Sequence, residues 1–152
     1  MYERILVALD GSEQAERVLA HVVELAQKFG SEVHLLRATT WSYQLQSESM
    51  NPQSPELGMD IAKRRGEAER EEAERYLVGV AGRLKSEGVD ARTIIAEGPP
   101  DAAILAQLRA TDASLLAMTT HGRGNIGRLV FGSVADAVVR KSETPVLLVR
   151  VS

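Results

Sequence analysis

Five short apolar segments recur along the chain, and stretches with helical spacing separate them. The segments span residues 4–10, 32–39, 91–97, 114–120 and 145–151. The first, fourth and fifth are almost continuously apolar, as strands are when helices cover both faces of a parallel sheet. The third alternates apolar and polar residues, which is typical of an edge strand. Alternating strands and helices predict an α/β fold with a parallel sheet and right-handed crossovers.

Four stretches between these strands carry apolar residues at helical spacing. They cover residues 12–29, 61–84, 100–109 and 133–142. Residues 40–58 are polar, contain two prolines and show no periodicity, so they predict a long loop of the kind that is functional or disordered. A length of 152 residues predicts one domain, residues 1–152.

Composition excludes several classes of function. The chain has no cysteine, which rules out disulfides, thiolate metal sites and cysteine nucleophiles. A net charge of −3 argues against a nucleic-acid partner. No apolar run approaches the roughly 20 residues of a membrane helix, and the amino terminus does not resemble a signal peptide. We therefore expect a cytoplasmic protein with no membrane and no nucleic-acid partner.

Ligands of open α/β sheets bind beyond the carboxyl ends of the strands, where the strand order reverses. The first strand is followed there by Asp10, Gly11 and Ser12. One interpretation is structural, with Gly11 forming the turn and Ser12 capping the helix. The other is functional, with Asp10 bonding a ribose hydroxyl or holding Mg²⁺ beside phosphates.

Glycines follow the fourth strand in two overlapping patterns. Gly122, Gly124 and Gly127 match the dinucleotide fingerprint G-x-G-x-x-G, but that fingerprint belongs after a first strand, so we interpret the match as incidental. No G-x-x-x-x-G-K-[ST] motif is present.

The second pattern is Gly122, nine residues, then Gly132 and Ser133 at the start of the last helix. A glycine-rich loop and a helix N-terminus present backbone N–H groups that suit a phosphate chain. Arg123 and Arg128 would add positive charge. The structural alternative is that Ser133 caps its own helix with Asp136.

The segments "ILVALDGS" and "THGRGNIGRLVFGSVADAVVRKSETPVLLVR" carry a family likeness. With the helix between strands two and three, they make essentially the whole chain resemble the single-domain, ATP-binding type of the universal stress protein family. The resemblance implies a Rossmann-like, adenine nucleotide alpha hydrolase-like fold. It is a five-stranded parallel sheet of order 3-2-1-4-5 with helices on both faces.

The resemblance also implies a site for ATP with Mg²⁺. The family motif G-x-x-G-x₉-G-[S/T] places its second glycine at Gly122 and its last pair at Gly132 and Ser133, whereas its first glycine falls on Thr119. Asp10 matches the aspartate near the ribose and the metal. The candidate nucleotide-binding positions are Ala8, Asp10, Ser12, Ala38, Met118, Thr119, His121, Gly122, Arg123, Gly132, Ser133, Val134 and Ala135.

The function implied by the resemblance is that of a stress-response or signalling module that binds an adenine nucleotide and is not an efficient enzyme. It also implies a homodimer in which the segment from Pro145 to Val151 pairs across a two-fold axis. Two alternatives stay open. One is an interaction protein of the same fold with an empty site, which Thr119 favours. The other is a slow ATPase, for which His121 and Asp10 are the candidate residues.

Overall fold

The computed structural model describes residues 1–39, 55–121 and 132–151, without the side chains of residues 55–57 and 121. Five strands and four α-helices alternate along the described chain, and a short 3₁₀ helix precedes the first α-helix. They are β1 (Arg4–Leu9), the 3₁₀ helix (Ala15–Val18), α1 (Leu19–Phe29), β2 (Glu32–Thr39), α2 (Pro55–Ser86), β3 (Ala91–Glu97), α3 (Pro100–Ala110), β4 (Leu115–His121), α4 (Ser133–Lys141) and β5 (Val146–Val151).

The five strands form one parallel sheet of order β3-β2-β1-β4-β5, which confirms the predicted topology. Ile5 of the central strand lies opposite Val33 of β2 on one side and Leu115 of β4 on the other. The strand order reverses between β1 and β4, because β2 follows β1 on one side and β4 lies on the other. The switch point at which such sheets bind ligands therefore lies at the carboxyl ends of β1 and β4.

Each face of the sheet carries its own hydrophobic core, because successive side chains of a strand point to opposite faces. On one face, Ile5 and Val7 pack with Val22 of α1 and Leu77 of α2. On the other face, a second cluster forms against α3 and α4. Its buried members are Leu6, Leu36, Ile104, Leu108, Leu116, Met118, Ala135 and Val138. Helices thus cover both faces of the sheet, as predicted.

Two predicted boundaries differ from the structure. The helix predicted from residue 12 begins as a 3₁₀ helix at Ala15, because Ser12 takes part in the turn that follows β1. The loop predicted for residues 40–58 is wrong for residues 55–58, which form the first turn of α2. Proline is well tolerated in the first turn of a helix, so Pro55 begins α2 rather than interrupting it. Residues 40–54 lie outside the described residues.

The two edge strands differ in how well their sequences indicate their position. β3 alternates and lies at one edge, as predicted. β5 reads as a strand buried on both faces, yet it forms the other edge, and most of its residues are only partly buried. An apolar segment therefore lies at an edge of the sheet in the single chain. Within the described residues, no helix combines the length and the apolar composition that a membrane span requires.

Candidate functional site

A cavity of about 470 Å³ opens at the carboxyl edge of the sheet, beside the switch point between β1 and β4. It has the size of a small-molecule site. The residues that line it come from the ends of β1, β2 and β4, from the beginnings of α3 and α4, and from α2. They are Ala8, Leu9, Asp10, Ala15, Leu36, Arg37, Ala38, Glu69, Pro100, Ile104, Met118, Thr119, Thr120, Gly132, Ser133, Val134 and Ala135.

Most of the positions predicted from the sequence line this one cavity, although they are spread over more than 120 residues of the chain. Those that do are Ala8, Asp10, Ala38, Met118, Thr119, Gly132, Ser133, Val134 and Ala135. The parallel sheet brings them together because the carboxyl ends of all its strands lie along the same edge. The remaining predicted positions are Ser12, His121, Gly122 and Arg123.

Ser12 is absent from the cavity wall and has a role in the turn instead. Its backbone N–H and its hydroxyl both donate to Oδ1 of Asp10, at 2.9 and 2.6 Å. Its hydroxyl oxygen also accepts from the N–H of Ala15, at 3.1 Å. Ser12 therefore joins the Asp10 carboxylate to the beginning of the 3₁₀ helix.

Predicted positions between the end of β4 and the start of α4 lie largely outside the described residues. This holds for Gly122 and Arg123 and for the side chain of His121, whose backbone ends β4. Thr120, which the sequence analysis missed, bridges the two described ends of this segment. Its side chain is buried, and its Oγ1 accepts from the N–H of Gly132 at 3.4 Å.

The beginning of α4 forms part of the cavity wall. Gly132, which has no side chain, is the N-cap, so the alternative in which Ser133 caps its helix with Asp136 is wrong. The Asp136 carboxylate instead accepts from Nε of Arg140 at 2.9 Å. The N–H groups of the first helical turn lack acceptors within the helix. Ser133, Val134 and Ala135 line the cavity at the end of the helix where the dipole favours an anion.

Another part of the wall is apolar. The family resemblance implies that Ala8 and Ala38 line an adenine pocket, and Met118, Leu36 and Ile104 line the same cavity. Ala8, Leu36, Ile104 and Met118 belong to the cluster between the sheet and α3 and α4. The sequence analysis missed Leu36 and Ile104 because their apolar character indicates only a place in the core. This wall suits a flat, weakly polar group such as a base.

A charged part of the wall was also missed. Arg37 of β2 and Glu69 of α2 line the cavity, and the Arg37 guanidinium lies over the ring of Tyr76, 5.3 Å from Cζ to the ring centroid. Burial, followed by the nearby Glu16 carboxylate, raises the pKa of the Tyr76 phenol well above its ordinary range. An arginine inside a strand carries no motif, so only the structure places it at the site.

A metal ion would rely on few protein ligands here. Asp10 lines the cavity, and the part of the chain that the structure describes contains no cluster of three or more His, Cys, Asp or Glu residues arranged to hold a metal. Mg²⁺ commonly binds through one or two carboxylates together with substrate phosphates and water. The donor set therefore fits Mg²⁺ that arrives with a polyphosphate better than a resident ion.

Comparison with known proteins decides the family. The model of the universal stress protein family matches residues 1–150. The chain belongs to this family. A universal stress protein of Thermus aquaticus is 33% identical over 150 residues, which cover 99% of this chain and 100% of the relative.

Solved universal stress proteins share the fold. The structure of MJ0577, a universal stress protein of Methanocaldococcus jannaschii, superimposes with a TM-score of 0.80 at 27% identity and covers 100% of this chain and 98% of that one. Two further structures contain nucleotides. One is a universal stress protein in complex with cAMP (TM-score 0.62, 22% identity, covering 99% of this chain and 98% of that one). The other is that of Archaeoglobus fulgidus in complex with dAMP (TM-score 0.62, 21% identity, covering 97% of each chain).

Proposed function

We propose that this universal stress protein binds an adenine nucleotide, ATP with Mg²⁺, in the cavity at the carboxyl edge of the sheet and acts as a stress-response or signalling module. The observation that carries the proposal is the convergence of the predicted positions on one cavity at the switch point. Related folds that hold cAMP and dAMP support an adenine nucleotide as the ligand class.

The chemistry of the wall assigns a part of the nucleotide to each region. The apolar side chains of Ala8, Ala38 and Met118 would contact the base, and Asp10 would accept hydrogen bonds from the ribose or hold the metal. Backbone N–H groups at the start of α4 would bind phosphate oxygens. Bound Mg²⁺ would neutralise part of the phosphate charge.

Thr119 occupies the position of the motif's first glycine, and its placement is compatible with a ligand. It lies within β4, paired with Val149 of β5, and its side chain is only partly buried at the cavity wall. A β-branched residue is comfortable in a strand. We propose that Thr119 narrows the cavity without closing it.

Ligand-induced stabilisation tests the proposal. Mg-ATP at 100 times its Kd would stabilise the protein by about 2.7 kcal/mol, which raises the melting temperature by roughly 5–10 °C at this size. Absorbance at 260 nm after denaturation of the purified protein would reveal nucleotide carried through purification. The absence of both a thermal shift with millimolar Mg-ATP and co-purified nucleotide would contradict the proposal. It would favour the alternative of an interaction protein with an empty site.

A slow ATPase is the second candidate, and it depends on His121, whose backbone ends β4, and on Asp10 at the cavity wall. Phosphate release from Mg-ATP that disappears in His121→Ala, with binding retained, would favour it. Binding without phosphate release would support a module that is not an enzyme.

We also propose a homodimer through the segment from Pro145 to Val151. The support is that β5 is an edge strand whose apolar side chains are mostly only half-buried, and Val139 of the adjacent α4 is 41% exposed. An exposed apolar edge strand favours pairing with another chain. Sedimentation equilibrium should give the mass of two chains, and the mass of one chain would contradict the proposal.

A further inference from the structure

We propose that Arg37 is a positioning residue for the nucleotide site, because its guanidinium supports the turn that carries Asp10 and so sets where the Asp10 carboxylate meets the ligand. The inference rests on the proposed function, since it concerns the binding of a nucleotide in the same cavity. It adds a residue outside the family motif to the machinery of that site.

The Arg37 guanidinium is held between β2 and α2. Its side chain is only 15% exposed, and its Nη2 donates to Oε2 of Glu72 at 3.1 Å. Its Cζ lies 5.3 Å from the centroid of the Tyr76 ring, at a distance suited to a cation–π contact. The ion pair and the ring fix the plane of the guanidinium, so its position is determined by α2 rather than by solvent.

The second terminal nitrogen faces the turn after β1. Nη1 of Arg37 is buried, and among the described residues it has no hydrogen-bond partner. Gly11 packs directly against it: a Cβ built on Gly11 would overlap Nη1 and stand only 2.9 Å from Cζ. A buried donor without a partner destabilises a protein, so a purely structural side chain at this place would better be apolar. The unpartnered donor therefore lowers stability at this place, and a role in the site accounts for it.

The support under Gly11 is transmitted to Asp10. Gly11 has a φ of +86°, a left-handed conformation that only glycine adopts readily. The Asp10 carboxylate is bound to the far side of the same turn through the N–H and hydroxyl of Ser12. The turn and the carboxylate therefore move together. The guanidinium packed against Gly11 limits how closely both can approach α2.

A double-mutant cycle measures this dependence, with Mg-ATP as the probe and calorimetric Kd as the readout. Arg37→Met keeps the length of the side chain and removes the guanidinium. We expect it to raise the Kd about tenfold in the wild-type background but less than about threefold when Asp10→Asn is already present, because residues that act together are non-additive. A residue that only stabilises the fold would leave the Kd unchanged in both backgrounds, and one that contacts the ligand independently of Asp10 would give equal losses.

Controls separate the possible failures. Arg70→Met removes an exposed α2 arginine that pairs with Glu74 at 3.3 Å, and it should leave the Kd unchanged. If Arg37→Met does not fold, Glu72→Gln releases Nη2 from its carboxylate and should give a smaller loss with the same dependence on Asp10.

An unchanged Kd in Arg37→Met, or equal losses in the two backgrounds, would overturn the inference while leaving nucleotide binding intact. Failure of the wild type to bind Mg-ATP would instead overturn the proposed function, and the inference with it.

Discussion

Side-chain contacts fix the shape of the cavity wall on the β1 side, whereas the course of the main chain fixes it on the α4 side. The Asp10–Ser12 turn depends on a carboxylate, a hydroxyl and the Arg37 guanidinium packed beneath Gly11. The N-cap of α4 is Gly132, which has no side chain, and the first residues of the helix line the cavity. The first arrangement requires particular residues, and the second requires only a helix that begins in the right place. Substitutions should therefore act differently on the two sides.

The largest effect is expected at Gly11. Gly11→Ala forces an alanine into the left-handed conformation and drives its Cβ into the Arg37 guanidinium. The conformational strain costs about 1–2 kcal/mol, and overpacking adds about 1–3 kcal/mol. We expect the free energy of unfolding, measured with urea, to fall by about 2–5 kcal/mol.

Gly88 provides the matched control. It has a similar φ of +80°, but a Cβ built there meets nothing within 4 Å. Gly88→Ala should therefore cost only the conformational term, about 1–2 kcal/mol. Equal losses at Gly11 and Gly88 would show that Arg37 does not crowd the turn, and the contrast between the two sides of the cavity would weaken.

The next effect tests the main-chain side through Ser133→Pro. Ser133 is the first residue of α4, a position where proline is favoured because its missing N–H has no partner in the helix. Gly132 has φ −53° and ψ 157°, the extended conformation that a residue before proline adopts. Stability should change by less than about 0.5 kcal/mol. Loss of a hydrogen bond to a charged phosphate should weaken Mg-ATP binding about 10- to 100-fold.

Ser133→Ala is the control for the hydroxyl, because it retains the backbone N–H. If alanine weakens binding as much as proline does, the hydroxyl rather than the main chain binds the ligand. The α4 side would then depend on a particular side chain, as the β1 side does. Unchanged binding in Ser133→Pro would show that this N–H does not contact the nucleotide.

The difference between the two sides also explains what the sequence could predict. Alternating strands and helices predict a parallel sheet and the edge at which a site can form, and the family resemblance implies the strand order. Main-chain sites follow from such a framework, and Gly132, Ser133, Val134 and Ala135, which the family motif implies as nucleotide-binding positions, line the cavity. The nucleotide-binding role of these four residues stays a prediction.

Side-chain contacts between distant segments were not predictable in the same way. Arg37 precedes the predicted Ala38 by one residue, yet it points to the other face of the sheet and meets α2, more than 30 residues away. No local pattern encodes that contact. The edge position of β5 is likewise not evident from its own residues, since a strand at an edge and a strand in the centre can have the same apolar sequence, and the family resemblance supplied it.

A smaller effect is expected at Thr120, where the two sides of the cavity meet. Thr120→Val keeps the shape of the side chain and removes the acceptor for the Gly132 N–H. The free energy of unfolding should fall by about 1 kcal/mol. The control Thr93→Val changes an exposed threonine of β3 and should be nearly neutral. A neutral Thr120→Val would mean that the start of α4 is positioned by its packing alone.

The smallest effect is expected for a cluster of charged side chains at the opposite edge of the sheet, where the strands begin. His34 Nε2 lies 2.9 Å from Oε1 of Glu32, and Nε of Arg92 lies 3.0 Å from the same oxygen. The hydrogen bond from His34, and then the charge of Arg92, hold the pKa of Glu32 below its ordinary value of 4.5. Because the folded state binds this proton less readily than the unfolded chain, the carboxylate contributes stability above pH 4.5 that is lost as the pH falls through the folded pKa.

Glu32→Gln should therefore be slightly less stable than the wild type at neutral pH, and the two should converge in acid. Urea midpoints at neutral pH and below the ordinary pKa of Glu32 measure the convergence. Glu67→Gln changes an exposed glutamate of α2 and should show no such pH dependence. If Glu32→Gln keeps a constant difference from the wild type across this range, the carboxylate acts through packing rather than charge. Ionised side chains would then contribute to the structure on the β1 side of the cavity but not at this edge.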